Sequence, residues 1–189
     1  MIFTRHSTLE GTHAMFSPSQ PAWLRYDDDR ILEARRNKCA AELGTRLHAW
    51  AKETIDLRMK QPRSKKTICA YVNDAIGYGM NTEVVLAYSS RIYGTADSIS
   101  FDENTKLLRI HDLKTGRLPA HMEQLEIYAA LFCLEYHVKP SDIKMELRIY
   151  QNDEVIYHNP TEDDILPIMD QIIHVDKVLE TAERMEGAA

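Results

Sequence analysis

The run RIYGTADSISFDENTKLLRIHDLKTG, residues 91–116, decides the fold of this chain. Residues 91–101 and 106–114 have the apolar, β-branched-rich composition of two strands. The link 102–105, Asp-Glu-Asn-Thr, is typical of a hairpin turn. The run therefore predicts two neighbouring strands that carry several charged side chains.

Asp97 and Asp112 fall on these two strands, and Lys114 follows the second carboxylate by two positions. Strand side chains alternate between faces, so Asp112 and Lys114 share one face of the sheet. Two carboxylates can hold Mg²⁺ or Mn²⁺ through oxygen. A lysine beside them can activate water or stabilise the charge that develops on a phosphodiester. The two carboxylates favour its ammonium form, so we expect charge stabilisation rather than proton abstraction.

A surface ion pair is the simpler interpretation of Asp112 and Lys114. The segment LLRIHDLKTG, residues 107–116, surrounds Asp112 with apolar residues and predicts a buried strand. A buried aspartate and lysine need a partner or a metal. The pattern therefore favours a metal site.

Hydrophobic periodicity supplies the other elements. It predicts helices over 29–59, 67–78, 120–137 and 162–185, and strands over 83–88, 144–151 and 154–159. Ser17-Pro18-Ser19-Gln20-Pro21 predicts a capped short helix before the first of these. In the last helix, we expect a capping box of Thr161 and Asp164, Pro167 within the first turn and Leu179 facing inward. This order predicts an α/β (α+β) domain with a single central mixed β-sheet flanked by helices. A strand–helix–strand crossover joins 106–114 to 144–151. We expect one domain over 1–189, with an extension at 1–28, a core at 29–159 and a C-terminal helix at 160–189.

Composition points to a cytoplasmic protein with no membrane segment. The 189 residues are 44% hydrophobic and 28% charged, as in ordinary globular domains. No apolar run is long enough for a membrane helix, and the first residues are too polar for a signal peptide. Cys39, Cys69 and Cys133 form no CxxC pair, so we expect reduced packing residues without zinc or iron–sulfur ligation.

The net charge of −6 argues weakly against a non-specific nucleic-acid coat. Acidic residues concentrate at 161–186, whereas 58–66, RMKQPRSKK, is basic. This basic stretch is either a loop that contacts phosphates or a solvated linker. Both interpretations stay open at this stage.

Four short motifs occur in a fixed order along the chain. They are Gly44-Thr45-Arg46-Leu47-His48, Gly94-Thr95-Ala96-Asp97, Ile110-His111-Asp112-Leu113-Lys114-Thr115-Gly116 and Gln124-Leu125-Glu126-Ile127-Tyr128. Together they resemble the PD-(D/E)XK nuclease superfamily, in particular the branch with the RecB nuclease domain and the lambda-type phage exonucleases. The chain lacks the cysteine set of the iron–sulfur members and the usual proline before the first aspartate.

The resemblance implies a restriction-endonuclease-like core with a set of site residues. Asp97, Asp112, the backbone carbonyl of Leu113 and the imidazole of His48 would hold Mg²⁺ or Mn²⁺, with no iron–sulfur cluster. Lys114 would act on the attacking water or the transition state. Gln124 and Tyr128, one turn apart on a helix, would reach the site or the DNA backbone.

Glu83 and the remaining histidines need separate treatment. Glu83 opens the strand before the Asp97 strand, where it is either a ligand for a second metal or an exposed strand-end acid. Seven histidines show no ligand spacing, and His111 is predicted on the sheet face opposite Asp112. His48 taken alone would be a core histidine, and the motif around it favours a ligand.

The resemblance implies a metal-dependent DNA exonuclease that acts in recombination or DNA end processing. By this resemblance, the Gly44-to-His48 and Gln124-to-Tyr128 motifs imply an exonuclease rather than a site-specific endonuclease. No recognition helix or zinc module is evident, so sequence-specific base readout is not indicated. A single-strand annealing or other recombination protein is the expected partner, in a bacterial or phage-infected cytoplasm. The alternative is a non-cleaving module that binds nucleic acid or a partner. The acidic surface and the C-terminal helix favour a protein partner or self-association.

Overall fold

Five strands form one mixed sheet in a computed structural model of the chain, which describes residues 4–116 and 119–186. They are β1 (Asn81–Ala87), β2 (Tyr93–Asp102), β3 (Leu107–Leu113), β4 (Lys144–Gln151) and β5 (Glu154–His158). The strands lie side by side in chain order. Only β3 and β4 run parallel among these pairs; the others are antiparallel. The predicted single mixed sheet is confirmed.

Four α-helices accompany the sheet in the described residues. They are α1 (Asp28–Asp56), α2 (Thr67–Gly77), α3 (Glu123–Glu135) and α4 (Glu162–Glu186), with short 3₁₀ turns at Pro21–Arg25 and Pro140–Asp142. Helix α3 connects the parallel strands β3 and β4, as the predicted crossover requires. Among these helices, none is both long and apolar enough to cross a bilayer.

The chain divides into two compact units, one ending at Arg46 and the other beginning at Leu47, inside α1. In the first unit, the rings of Trp23 and Tyr26 lie 6.0 and 6.5 Å from that of Phe16. The capped short helix expected here is a 3₁₀ turn, and its N-cap residue Gln20 makes no side-chain cap. The single domain expected over 1–189 stays a prediction.

The sheet of the second unit has a hydrophobic core on each face. On one face, Ile110 and Leu147 pack with residues of α3 and α4. On the other, Leu113 and Tyr150 pack with α2 and with Ile55 of α1. Each fully buried side chain of this size contributes about 1.5–3 kcal/mol relative to an exposed one. The two cores hold β3 and β4 between helices, and this fixes the strand end where the site residues lie.

Helix α4 departs from two expectations. Pro167 lies inside the helix, beyond the first turn to which the sequence pattern had confined it. Its ring removes one N–H from the helical ladder, and packing of Ile165 and Ile172 keeps the helix in place. Leu179, predicted to face inward, is 40% exposed. Asp164 accepts hydrogen bonds from the backbone N and the hydroxyl of Thr161, so it supplies the expected cap.

Candidate active site

Strands β2 and β3 separate at the position of the two carboxylates. Their backbone pairing ends at Ser98 and His111. Beyond that point the N–H of Leu113 donates to Oδ2 of Asp97 at 3.0 Å. The Asp97 carboxylate thus takes the place of a backbone carbonyl of β2 as the acceptor. The pairing of β3 with β4 continues through Leu113. The fork between β2 and β3 therefore lies beside both Asp97 and Asp112.

The imidazole of His48 lies beside the fork, next to Asp97. Its Nδ1 is 3.4 Å from Oδ2 of Asp97, and the two side chains are 32% and 19% exposed. The two residues are far apart in sequence, and α1 brings the imidazole to the carboxylate. The contact places His48 beside the first aspartate, and its expected role as a metal ligand stays a prediction.

A chain of polar contacts holds Lys114 in place. Its Nζ lies 3.1 and 3.0 Å from Oδ1 and Oδ2 of Asp112, and it donates to Oε1 of Gln124 at 2.6 Å. The amide of Gln124 donates to the Tyr128 hydroxyl at 3.3 Å, and that hydroxyl donates to the carbonyl of Thr95 at 2.7 Å. Helix α3 thus positions the ammonium group from the side opposite Asp112.

Glu83 stands opposite Asp97 between two paired positions of β1 and β2. The flanking pairs are Thr82 with Ser98 and Val84 with Ala96, while Glu83 itself has a positive φ of 51°. Such a conformation is rare for a residue other than glycine and interrupts the ladder locally. The Glu83 side chain is exposed. Its two interpretations, second-metal ligand or strand-end acid, both remain open.

Burial makes ionisation of both aspartates unfavourable. It raises the pKa of Asp97 to about 6, with a further contribution from the charge of Asp112; the Leu113 N–H, His48 and Lys114 oppose this shift. Burial also raises the pKa of Asp112, against the opposing charge of Lys114. Asp112 is buried and Asp97 is partly buried, and two such carboxylates that resist ionisation would be stabilised by a cation placed between them.

Several donor atoms at the fork are available to a divalent cation. No three His, Cys, Asp or Glu side chains already enclose an ion site within residues 4–116 and 119–186. The buried Oδ2 of Asp112 nevertheless receives no hydrogen bond, although the Lys114 ammonium lies 3.0 Å away. Carboxylate oxygens, a backbone carbonyl at Leu113 and the imidazole of His48 suit Mg²⁺ or Mn²⁺. A cation at Asp112 would take over the charge neutralisation that Lys114 now provides.

Tyr71 of α2 is a neighbour of the site that the sequence analysis missed. Its side chain is buried, and the charges of Asp97, Asp112 and Glu83 add to the burial that raises the pKa of its hydroxyl. Ser98, its hydrogen-bond partner, opposes that shift. The sequence signal was weak, because a tyrosine at helical spacing in an apolar segment is usually a core residue.

His111 lies on the face opposite the site, as predicted. Its Nδ1 is 3.3 Å from the Tyr150 hydroxyl, and its ring packs against Tyr78. Burial, together with the charges of Arg148 and Arg109, lowers the pKa of His111 to about 3. A neutral, buried imidazole in this position contributes to the core and not to the site.

The structure brings most of the predicted residues together. They are His48, Asp97, Asp112, Leu113, Lys114, Gln124 and Tyr128. No protein-family model matches the chain, and a search of curated proteins finds no significant match.

Proposed function

We propose that this protein is a divalent-metal-dependent deoxyribonuclease built on a restriction-endonuclease-like core of the RecB-like branch. One observation carries the proposal. Asp97 and Asp112 flank the fork between β2 and β3, with His48 on the first carboxylate and the ammonium of Lys114 on the second. This combination supports hydrolysis of a phosphodiester more directly than any purely structural role, since burying two acids beside each other costs stability.

Each residue has a defined role in this proposal. Asp97, Asp112, the Leu113 carbonyl and His48 would hold the metal. When bound, the cation supplies Lewis acidity toward a phosphate oxygen and a water activated for attack. The Lys114 ammonium offsets the negative charge that grows on the phosphate. Gln124 and Tyr128 restrict the side-chain conformation of Lys114, so its charge is preorganised for the reaction.

We further propose that the enzyme degrades DNA from its ends. The Gly44-to-His48 and Gln124-to-Tyr128 motifs resemble those of exonucleases. The sequence shows no evident DNA-recognition helix. An activity of this kind serves recombination or DNA end processing in a bacterial or phage-infected cytoplasm. A single-strand annealing protein would use the strand that such an exonuclease exposes.

A non-cleaving binding module is the second candidate. Helix α4 supports it, because four of its apolar side chains are at least 40% exposed: Leu166, Val178, Leu179 and Met185. Exposed apolar residues on an otherwise acidic helix suit a protein partner or a second copy of the chain. Under this alternative, the site residues would be present, but the protein would not cleave DNA in the presence of a metal.

Cleavage of matched linear and covalently closed circular DNA distinguishes these candidates. The protein is incubated with Mg²⁺ or Mn²⁺, alongside Lys114→Ala and the control Lys139→Ala, an exposed lysine outside the site. Loss of the linear form alone, abolished only in Lys114→Ala, supports the exonuclease. Cutting of circles that depends on Lys114 indicates an endonuclease, and no degradation with either metal supports the binding module.

A further inference from the structure

The basic segment, residues 58–66, carries five cations on one exposed stretch. They are Arg58, Lys60, Arg63, Lys65 and Lys66, and all five are exposed. Within the described part of the chain, the ion pairs formed by lysine and arginine involve other residues. Among the described residues, no salt bridge pairs these five cations with a carboxylate, although the charge of Arg58 acts on nearby Asp56 and the chain as a whole is acidic.

The basic segment follows a defined course. The backbone N–H of Gln61 donates to Oδ1 of Asn73 at 2.8 Å, and Nδ2 of Asn73 donates to the Gln61 carbonyl at 2.9 Å. The side chain of Gln61 also donates to the carbonyl of Met59 at 2.9 Å. Asn73 of helix α2 thus anchors the middle of the basic segment. A solvated linker would have no such anchor.

The end of the basic segment reaches the candidate active site. Lys66 lines a cleft of about 240 Å³ together with Leu113 and Lys114. Thr67, the first residue of α2, and the β4–β5 turn at Asn152 and Asp153 also line it. A strand bound along the basic segment would therefore lead to the lysine proposed to act on the phosphodiester.

Two nearby carboxylates limit the positive field. Asp56, just before the basic segment, is held by Lys52 and by the Thr82 hydroxyl, so its charge is already partly compensated. Asp153 lies in the cleft itself and is exposed. A polyanion in the cleft would be repelled by Asp153 and attracted by Lys66, whereas the charge of Lys114 is already paired with Asp112.

From these observations we infer that the basic segment binds the phosphate backbone of the DNA strand that enters the site at Lys114. The inference rests on the proposed function for the choice of DNA as the ligand. Phosphate contacts from lysine and arginine hold a strand without reading its sequence. The anchored course of the segment distinguishes it from a linker that is basic only for solubility.

The test compares two variants that each remove three positive charges. Lys60→Gln/Arg63→Gln/Lys65→Gln alters the basic segment, and Lys139→Gln/Lys144→Gln/Lys177→Gln alters exposed lysines elsewhere. Binding of a fluorescent DNA duplex and a single strand is measured in EDTA over a range of salt concentrations. We expect the first variant to weaken binding and to reduce the slope of log K against log salt by about two to three, with the control close to wild type. Asp153→Asn is expected to tighten binding.

Equal weakening by both triple variants would overturn the inference, because net charge alone would then explain the effect. Absence of DNA binding by the wild-type protein would overturn it as well. Measurement in EDTA separates this inference from the proposed activity, since no cleavage is required. If the wild-type protein binds DNA through the basic segment but does not cleave it, the inference holds and the nuclease proposal is wrong.

Discussion

Gly94 of β2 leaves the space that the ring of Tyr128 in α3 occupies. A Cβ atom added at Gly94 would lie 2.8 Å from Cε1 of Tyr128, closer than real Cβ contacts. The ring is held there because its hydroxyl donates to the carbonyl of Thr95, the next residue. Through Gln124 this contact extends to Lys114. The glycine of the first aspartate motif is thereby linked to the position of the lysine.

Replacing Gly94 by alanine is expected to displace Tyr128 and to lower stability by about 1–3 kcal/mol, since overpacking forces the ring to move. Urea unfolding measures the loss. In a Tyr128→Leu background the same change is expected to cost less than about 0.5 kcal/mol, because the clash is gone. Additive effects of the two substitutions would contradict the proposed contact.

Tyr128→Phe tests the hydroxyl separately from the ring. The ring packing stays, while the bonds to Thr95 and Gln124 are lost. We expect a stability loss of about 0.5–1.5 kcal/mol and a slower maximal rate of DNA cleavage, because Lys114 loses its support. The metal-induced rise in Tm should be unchanged, since no metal ligand is touched. A lost metal response would place Tyr128 in the metal site instead.

The raised pKa of Asp97 predicts a specific pH dependence. The carboxyl has a folded-state pKa of about 6, above its ordinary value of 3.8. A pKa raised by folding means that burial favours the protonated form, so its stabilising effect is complete below about pH 4 and is lost as the pH rises through about 6. Cation binding needs the ionised form. Thermal unfolding should therefore show a small Mg²⁺-induced rise in Tm at pH 5 and a larger one at pH 7.5.

Asp97→Asn provides the matching control for this pH effect. The amide keeps the shape of the side chain and removes the buried charge, so the metal-free variant should be more stable than wild type at pH 7.5 by roughly 1–3 kcal/mol. It should also lose the metal-induced rise in Tm. A variant that is destabilised without metal would show that Asp97 supports the fold rather than a cation.

Much of the fold follows from local sequence patterns. The type and order of the main helices and strands agree with hydrophobic periodicity, and their ends differ by three residues at most, as for 59 against Asp56 and 120 against Glu123. Strand alternation alone placed Asp112 and Lys114 together and His111 on the other face. These features depend on spacing within one element, which a sequence displays directly.

Other features depend on contacts between distant elements. The fork between β2 and β3 arises where the Asp97 side chain replaces a backbone acceptor, which no periodicity signals. Tyr71 comes near Ser98 and the charges of the two carboxylates only because α2 packs against the sheet. Pro167 violates its local preference because the buried contacts of α4 outweigh one missing hydrogen bond. Tertiary packing decided these positions.

The most direct measurement is the initial rate of linear DNA degradation with Mg²⁺ by the wild-type protein and by Asp112→Asn. The substitution preserves the size of the side chain and removes the charge that the proposed metal site and Lys114 both use. We predict metal-dependent degradation by the wild type and a loss of about a hundredfold or more in the variant, as expected when a metal ligand is removed. Equal rates in the two proteins, or degradation that persists in EDTA, would contradict the account.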